Sequence, residues 1–165
     1  MTAQDSVQTE GIDFALAAYL EDDVWQLAEI ADTACETVDT LAHGLRRLPG
    51  EGGAIGMVAI EEDFFVLVRV AAHSTRVLLS DVTAAGEWLL AESALELLGI
   101  PLPDDEDEPA PAGDLGLLED LGIAAIDMGV LLDDADLYPD EMLSDIARRL
   151  GFGPEFDEAV GLSAV

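Results

Sequence analysis

The sequence predicts an α+β protein: an antiparallel sheet of about five strands, in the order ββαβββα, with helices packed on it and a small helical region at the C-terminal end. Three observations predict this fold class. Five strand-like apolar runs are joined by short connections, which favour antiparallel pairing. Stretches with helical spacing of apolar residues follow the second and the fifth run. Half of the 165 residues are hydrophobic although the formal net charge is −30, whereas disordered chains combine high charge with low hydrophobicity.

The first two strands are predicted in DFALAAYL, which begins at Asp13, and in VWQLAEI, which begins at Val24. Alternate residues of the first run are apolar, as a half-buried strand requires. Only Glu21, Asp22 and Asp23 separate the two runs. That break is short enough for a hairpin, although it lacks the glycine that two-residue turns prefer.

A helix is predicted from Val38 to Leu48, where apolar residues recur at helical spacing. Arg46 and Arg47 complement the negative end of its dipole, and the Pro-Gly pair at 49–50 ends it.

Three further strands are predicted at residues 54–60, 64–70 and 75–80. Because these runs are apolar on both faces, we expect central strands that helices cover. Ser80 or Asp81 is expected to cap the helical region that follows, and Gly99 to close it. Trp25 and Trp88 lie within predicted elements, so we interpret them as core residues rather than interface anchors.

Four segments are predicted along the chain: a flexible leader at 1–12, the α+β domain at 13–100, an acidic Pro-rich linker at 101–113, and the helical C-terminal region at 114–165, whose packing on the first domain the sequence leaves open. Proline and mutual repulsion within the linker's acidic run predict an extended conformation. That run consists of Asp104, Asp105, Glu106, Asp107 and Glu108. The best helix of the C-terminal region begins near Pro139, carries Arg148 and Arg149 in its last turn and stops at Gly151.

Charge excludes several classes of partner. The chain contains 36 acidic residues, six arginines and no lysine. Affinity for phosphates depends on clustered cations, so we expect no direct binding to nucleic acid or to an anionic membrane. The leader has no cation or apolar core typical of a signal peptide, the longest apolar stretch is too short to span a bilayer, and a lone cysteine forms no internal disulfide. These features favour a cytoplasmic protein.

The motifs of common catalytic and metal sites are missing from the sequence. The acids between 133 and 141 lack the glycine and the final glutamate of a calcium-binding EF-hand loop, so we predict no metal site and no cofactor. His43 and His73 are the only histidines, and neither accompanies a nucleophile motif. The H-x-E and P-C-x-x-C motifs of zinc deaminases are absent as well. We therefore predict no catalytic residues, although acids brought together by the fold could still form a carboxylate site.

One acidic segment is the best candidate for partner binding, because it lies in the more acidic C-terminal third and includes a tyrosine suited to an interface. The candidate residues are Asp133, Asp134, Asp136, Tyr138, Asp140 and Glu141. Helix-start preferences explain part of this acidity without any function.

Several segments together resemble the tRNA adenosine deaminase-associated proteins of actinobacteria. They are FALAAYLEDDVW, MVAIEEDFFVLVRV with VLLSD, the acidic linker and, most distinctively, DDADLYPDEMLSDIARRLGFGPEFDEAV. The resemblance covers about residues 13–160. It implies a link to a tRNA adenosine deaminase, because the family takes its name from genes beside that of the enzyme, and it supplies no catalytic residues.

The sequence thus favours a non-catalytic accessory protein, a partner or regulator of tRNA adenosine deaminase with an acidic surface suited to a basic partner. The alternatives are a metal-assisted enzyme that uses clustered carboxylates and an acidic mimic of nucleic acid. Homo-oligomers formed through a sheet edge or an apolar helix face are compatible with the first hypothesis.

Overall fold

The computed structural model describes residues 12–48, 53–61, 63–71, 74–102, 110–134 and 136–161. The predicted leader lies outside these residues except for Ile12, which begins the first strand. The acidic run of the predicted linker and His73 also lie outside them.

The predicted α+β fold with an antiparallel sheet is confirmed. The sheet has six strands in the order β2-β1-β3-β4-β5-β6, and every neighbouring pair is antiparallel. The sixth, a two-residue strand at the end of the predicted linker, extends the five that the sequence predicts. The strands are β1 (Ile12–Glu21), β2 (Val24–Glu29), β3 (Ala54–Ile60), β4 (Phe64–Ala71), β5 (Ser74–Leu79) and β6 (Ala112–Gly113).

Five α-helices complete the described part of the chain. They are α1 (Val38–Leu45), α2 (Leu89–Leu98), α3 (Ala125–Leu132), α4 (Pro139–Leu150) and α5 (Gly153–Val160). Short 3-10 turns precede α1, α2 and α3 at Asp32–Cys35, Val82–Gly86 and Glu119–Leu121. None of the helices in the described segments is long and apolar enough to cross a membrane.

The sheet is buried on both faces because its central strands are apolar at successive positions. One face packs against α1 and α2, with Val58, Val66 and Val68 of the sheet beside Leu41 and Leu95 of the helices. The other face packs against the C-terminal region. There, Met57, Phe65, Leu67 and Leu78 meet Leu117, Met128, Leu143, Ile146 and Phe156.

Aromatic side chains hold the C-terminal helices to β1 and β2. The indole nitrogen of Trp25 donates a hydrogen bond to the carbonyl oxygen of Leu150 at 3.1 Å, and its ring lies 4.8 Å from that of Phe152 between centroids. Phe14 meets Phe156 edge-on at 5.5 Å. On the opposite face, Trp88 packs 6.2 Å from Phe64. Both tryptophans are therefore partly buried against the core.

Two aspartates form the turn of the predicted hairpin between β1 and β2. Glu21 pairs with Val24, and the φ angles of Asp22 and Asp23 are 53° and 66°. Two positive φ angles match the twist of the flanking strands, a conformation that Asn-Gly adopts most easily. The chain thus makes a type I′-like turn from residues that are strained and like-charged there.

We expect the double substitution Asp22→Asn and Asp23→Gly to stabilise the protein by about 1 kcal/mol, because glycine removes the steric cost of positive φ. Urea unfolding followed by circular dichroism measures the change. The matched control is Asp22→Asn with Asp23→Asn, which removes the same two charges without adding glycine. Equal stability of the two variants would contradict the turn conformation.

Candidate functional site

The predicted partner-binding residues lie in the connection between α3 and α4 and in the first turn of α4. Asp133, Asp134 and Asp136 have exposed side chains in this connection. One carboxylate oxygen of Asp134 accepts a hydrogen bond from the backbone nitrogen of Asp136 at 3.0 Å. Asp134 therefore shapes the turn while its side chain stays exposed.

The remaining predicted residues form the start of α4. The backbone nitrogen of Tyr138 donates to the Oε1 atom of Glu141 at 2.9 Å, and that of Glu141 donates to Asp140 at 2.9 Å. Acids at this position also favour the positive end of the helix dipole. Asp140 and Glu141 thus have local structural roles, whereas Tyr138 remains 56% exposed.

A groove of about 270 Å³ brings part of the predicted set together with two acids outside that set. Asp133, Asp134 and Tyr138 line it together with Asp63 and Asp81. Leu132, Leu137, Pro139 and Met142 contribute apolar walls. The groove therefore combines four carboxylates with an apolar lining, an arrangement that can accept a cationic or amphipathic group.

Asp63 and Asp81 are far apart in sequence but lie at one end of the sheet. Asp63 precedes β4, Asp81 follows β5, and the backbone nitrogen of Ser80 donates to the carbonyl oxygen of Phe65 at 3.1 Å. Antiparallel pairing of β4 with β5 was the signal that could have placed them together. Asp81 also accepts from the backbone of Thr83 at 2.9 Å, so it caps the 3-10 turn as predicted.

The other predicted residues do not join this groove. Glu141 lines a second groove of about 340 Å³ on α4 and α5, and neither groove includes Asp136 or Asp140. The acids of the second groove have partners: Asp145 pairs with Arg148 and Arg149, and Ser144 donates to Asp157 at 2.5 Å. The charge of Asp145 is therefore compensated by two arginines of its own helix.

Within the described segments, no three histidine, cysteine or acidic side chains converge as metal ligands. His43 is exposed on α1, while Cys35 is buried with its Sγ atom 3.7 Å from the carbonyl oxygen of Ala31.

Two arginines hold the first part of the C-terminal region against the sheet. Arg69 of β4 and Arg76 of β5 lie directly opposite one another in the strand register. Arg69 forms a two-pronged ion pair with Asp120 and donates to the carbonyl oxygen of Leu117 at 2.9 Å. We call these two arginines with Asp114 and Asp120 the arginine clamp.

Arg76 completes the clamp from the neighbouring strand. Its Nε atom lies 2.6 Å from the Oδ2 atom of Asp114, and its guanidinium donates to the carbonyl oxygen of Gly116 at 2.9 Å. Asp114 in turn accepts from the backbone nitrogen of Gly116 at 2.9 Å. The clamp therefore neutralises two adjacent cations and positions Leu117, which is fully buried against the sheet.

The Arg69 side chain is 12% exposed and that of Asp120 is 62% exposed. The hydrogen bonds from Arg69 hold the pKa of Asp120 below its ordinary value; burial opposes this effect, and the charges of Arg69 and Arg76 reinforce it. A carboxylate with a lowered pKa stabilises the fold above its unfolded-state pKa and loses this effect as the pH falls.

Five of the six arginines bind groups of this same chain. Besides the clamp and the two arginines of α4, Arg46 donates to the carbonyl oxygens of Ala71 and Ser74 at 2.7 Å and 3.1 Å. The groups that these arginines bind lie outside the α3–α4 connection.

Comparison with known proteins agrees with the resemblance seen in the sequence. The profile of the Rv3753c-like tRNA adenosine deaminase-associated protein family matches residues 13–153. The chain is 37% identical over 150 residues to Protein Rv3753c of Mycobacterium tuberculosis (strain ATCC 25618 / H37Rv), an alignment that covers 89% of this chain and 87% of the relative. No solved structure gives a significant match.

We expect Arg69→Met to destabilise the protein by about 1 kcal/mol, since the substitution removes the ion pair with Asp120 and leaves the Leu117 carbonyl oxygen without its guanidinium donor. Guanidinium unfolding measures the effect. Arg149→Met is the matched control, because it removes one of two arginines that pair with Asp145 on the same helix and leaves Arg148 in place; about 0.5 kcal/mol or less is expected for it. An Arg69→Met protein as stable as the wild type would contradict a stabilising clamp.

The effect of Asp120→Asn should depend on pH. At pH 6 the variant should be less stable than the wild type, and the difference should shrink below about pH 4, where the unfolded-state carboxyl and then the folded-state one become protonated. Urea unfolding at pH 6, 4, 3 and 2.5 measures it. In an Arg69→Met background the same substitution should have a much smaller effect. A difference that stays constant with pH would contradict the lowered pKa.

Proposed function

Because the chain belongs to the Rv3753c-like tRNA adenosine deaminase-associated protein family, we propose that it is a non-catalytic accessory protein that binds a tRNA adenosine deaminase and regulates it. The observation that carries the proposal is the family membership together with the groove that contains Asp63, Asp81, Asp133 and Asp134.

Charge complementarity supports a basic partner. An enzyme that binds tRNA needs cationic side chains for the phosphates, since these contacts supply much of the affinity. The chain carries a formal net charge of −30, and five of its six arginines already bind groups within the chain. Attraction between the two surfaces would accelerate their association and suppress competing acidic partners.

Two modes of regulation are consistent with such a surface. The protein can bind beside the tRNA site and alter turnover, or its carboxylates can occupy the tRNA site as a nucleic-acid mimic. The exposed carboxylates of Asp133, Asp134 and Asp136 support the second mode, because they could take the place of tRNA phosphates. The two modes differ in one measurable way: excess tRNA displaces a mimic from the enzyme but leaves a neighbouring partner bound.

A tRNA-modifying partner places the complex where tRNA is modified, so the proposal includes a cytoplasmic location. A protein that acts by binding its partner needs no cofactor or metal of its own.

We expect the purified protein to bind the tRNA adenosine deaminase of the same organism at 50 mM NaCl, to bind it more weakly at 300 mM, and to change the rate of inosine formation on tRNA. Salt should weaken binding because it screens the attraction between opposite charges. Biolayer interferometry and single-turnover assays measure these effects. Lack of binding at low salt together with unchanged inosine formation would overturn the proposed function.

Variants that replace acids by neutral residues identify which part of the surface attracts the partner. The triple variant Asp133→Asn, Asp134→Asn and Asp136→Asn should lower the association rate constant about 3- to 10-fold at low salt and change dissociation little, as expected for charges that steer encounter. The matched control neutralises Glu21, Asp22 and Asp23. Ile12 of β1 pairs with Ile60, close to Asp63, whereas Ala18 pairs with Ile55 at the other end of β3. The β1–β2 turn therefore lies at the opposite end of the sheet from Asp63. Equal rate constants for the two variants would show that the α3–α4 connection has no special role.

A further inference from the structure

Helix α3 has an outer face that is apolar although it lies at the surface. Met128 and Leu131 are buried against the sheet, whereas Ile126 is 76% exposed and Val130 is 68% exposed. The two exposed residues are four positions apart, so their side chains are neighbours on one face of the helix. A surface helix ordinarily carries polar residues on that side.

The stability of the helix does not explain why isoleucine and valine occupy these two positions. Isoleucine and valine lose side-chain freedom in a helix and have lower helix propensity than alanine or the straight-chain residues. A buried position would explain them, but within the described chain these positions face solvent. Ile126 and Val130 therefore carry apolar area that a partner can cover.

Carboxylates lie next to the apolar pair in α3 and just after it. Asp127 follows Ile126 directly and is exposed, and Asp133 lies seven positions after Ile126, on the same side of the helix. The next residue, Asp134, lines the groove together with Asp63 and Asp81. An apolar centre within a polar rim is the usual composition of a protein–protein interface.

The charge of the rim selects the kind of partner. A second copy of this chain would place two proteins of formal net charge −30 against one another through acidic rims. Like charges at an interface are unfavourable, whereas arginine or lysine around an apolar pocket would complement these carboxylates.

We propose that Ile126 and Val130 form the apolar centre of the surface by which this protein binds its partner, a protein with an apolar pocket bordered by arginine or lysine. This inference rests on the proposed function, because the partner tested is the tRNA adenosine deaminase. The apolar pair supplies affinity once it is buried, and Asp127, Asp133 and Asp134 accelerate encounter.

The test is the affinity of the full-length double variant Ile126→Ala and Val130→Ala for the deaminase. Alanine preserves the helix, since its propensity is higher than that of either residue it replaces. The dissociation constant should rise roughly 10- to 100-fold, mostly through faster dissociation, as for truncation of an interface anchor. Ile126→Leu with Val130→Leu should restore most of the affinity, because it restores apolar area.

The matched control is Leu97→Ala with Leu102→Ala. These two residues are 45% and 52% exposed, and they lie in α2 and just after it, the helix on the opposite face of the sheet. This control should bind within about twofold of the wild type, because it removes exposed apolar area away from the proposed surface.

Each outcome has a distinct meaning. Binding by the double alanine variant that equals wild-type binding would overturn the surface assignment and leave the proposed function intact. Lack of binding by the wild type would overturn the proposed function and this inference with it. Sedimentation equilibrium provides the third arm: a wild-type dimer that the double alanine variant abolishes would identify a second copy as the occupant and overturn the basic partner.

Discussion

A sheet whose central strands bury both faces is stable only if other elements cover both sides, and this constraint organises the whole protein. Helices α1 and α2 cover one face, while the C-terminal helices cover the other. The C-terminal third is therefore half of the packing around the sheet. Its attachment is specific: the Trp25 indole reaches the end of α4, and the arginine clamp holds the segment before α3.

The arginine clamp also explains how a highly acidic chain uses its few cations. Arg69 and Arg76 lie side by side on the sheet, so each would repel the other without the carboxylates of Asp120 and Asp114. Compensation is local, and two acids are neutralised where the C-terminal region meets the sheet. Among the described residues, no ion pair involves an acid of the α3–α4 connection. The proposed recognition surface combines these carboxylates with the exposed apolar side chains of α3.

The sequence predicted the strands, the principal helices and the acidic segment around Asp133 because each follows from local patterns: alternation, helical spacing and charge density. It did not predict that Asp63 and Asp81 would join Asp133 and Asp134 in one groove. Those four residues come from three separate parts of the chain, and only the pairing of β4 with β5 and the docking of α3 bring them together. The sequence also did not predict that Ile126 and Val130 are exposed, because an apolar run does not show which of its sides packs against the core.

By itself the sequence determined the α+β class, the antiparallel pairing, the family resemblance and the excess of acidic charge, because these depend on composition and on short-range periodicity. The tertiary structure decided where charge and apolar area are left uncompensated. Arg69 and Arg76 were only two scattered cations in the sequence, and the strand register made them a clamp. Burial and ion pairing are properties of neighbours in space, so the difference between a structural acid such as Asp120 and an exposed one such as Asp133 appears only in the folded chain.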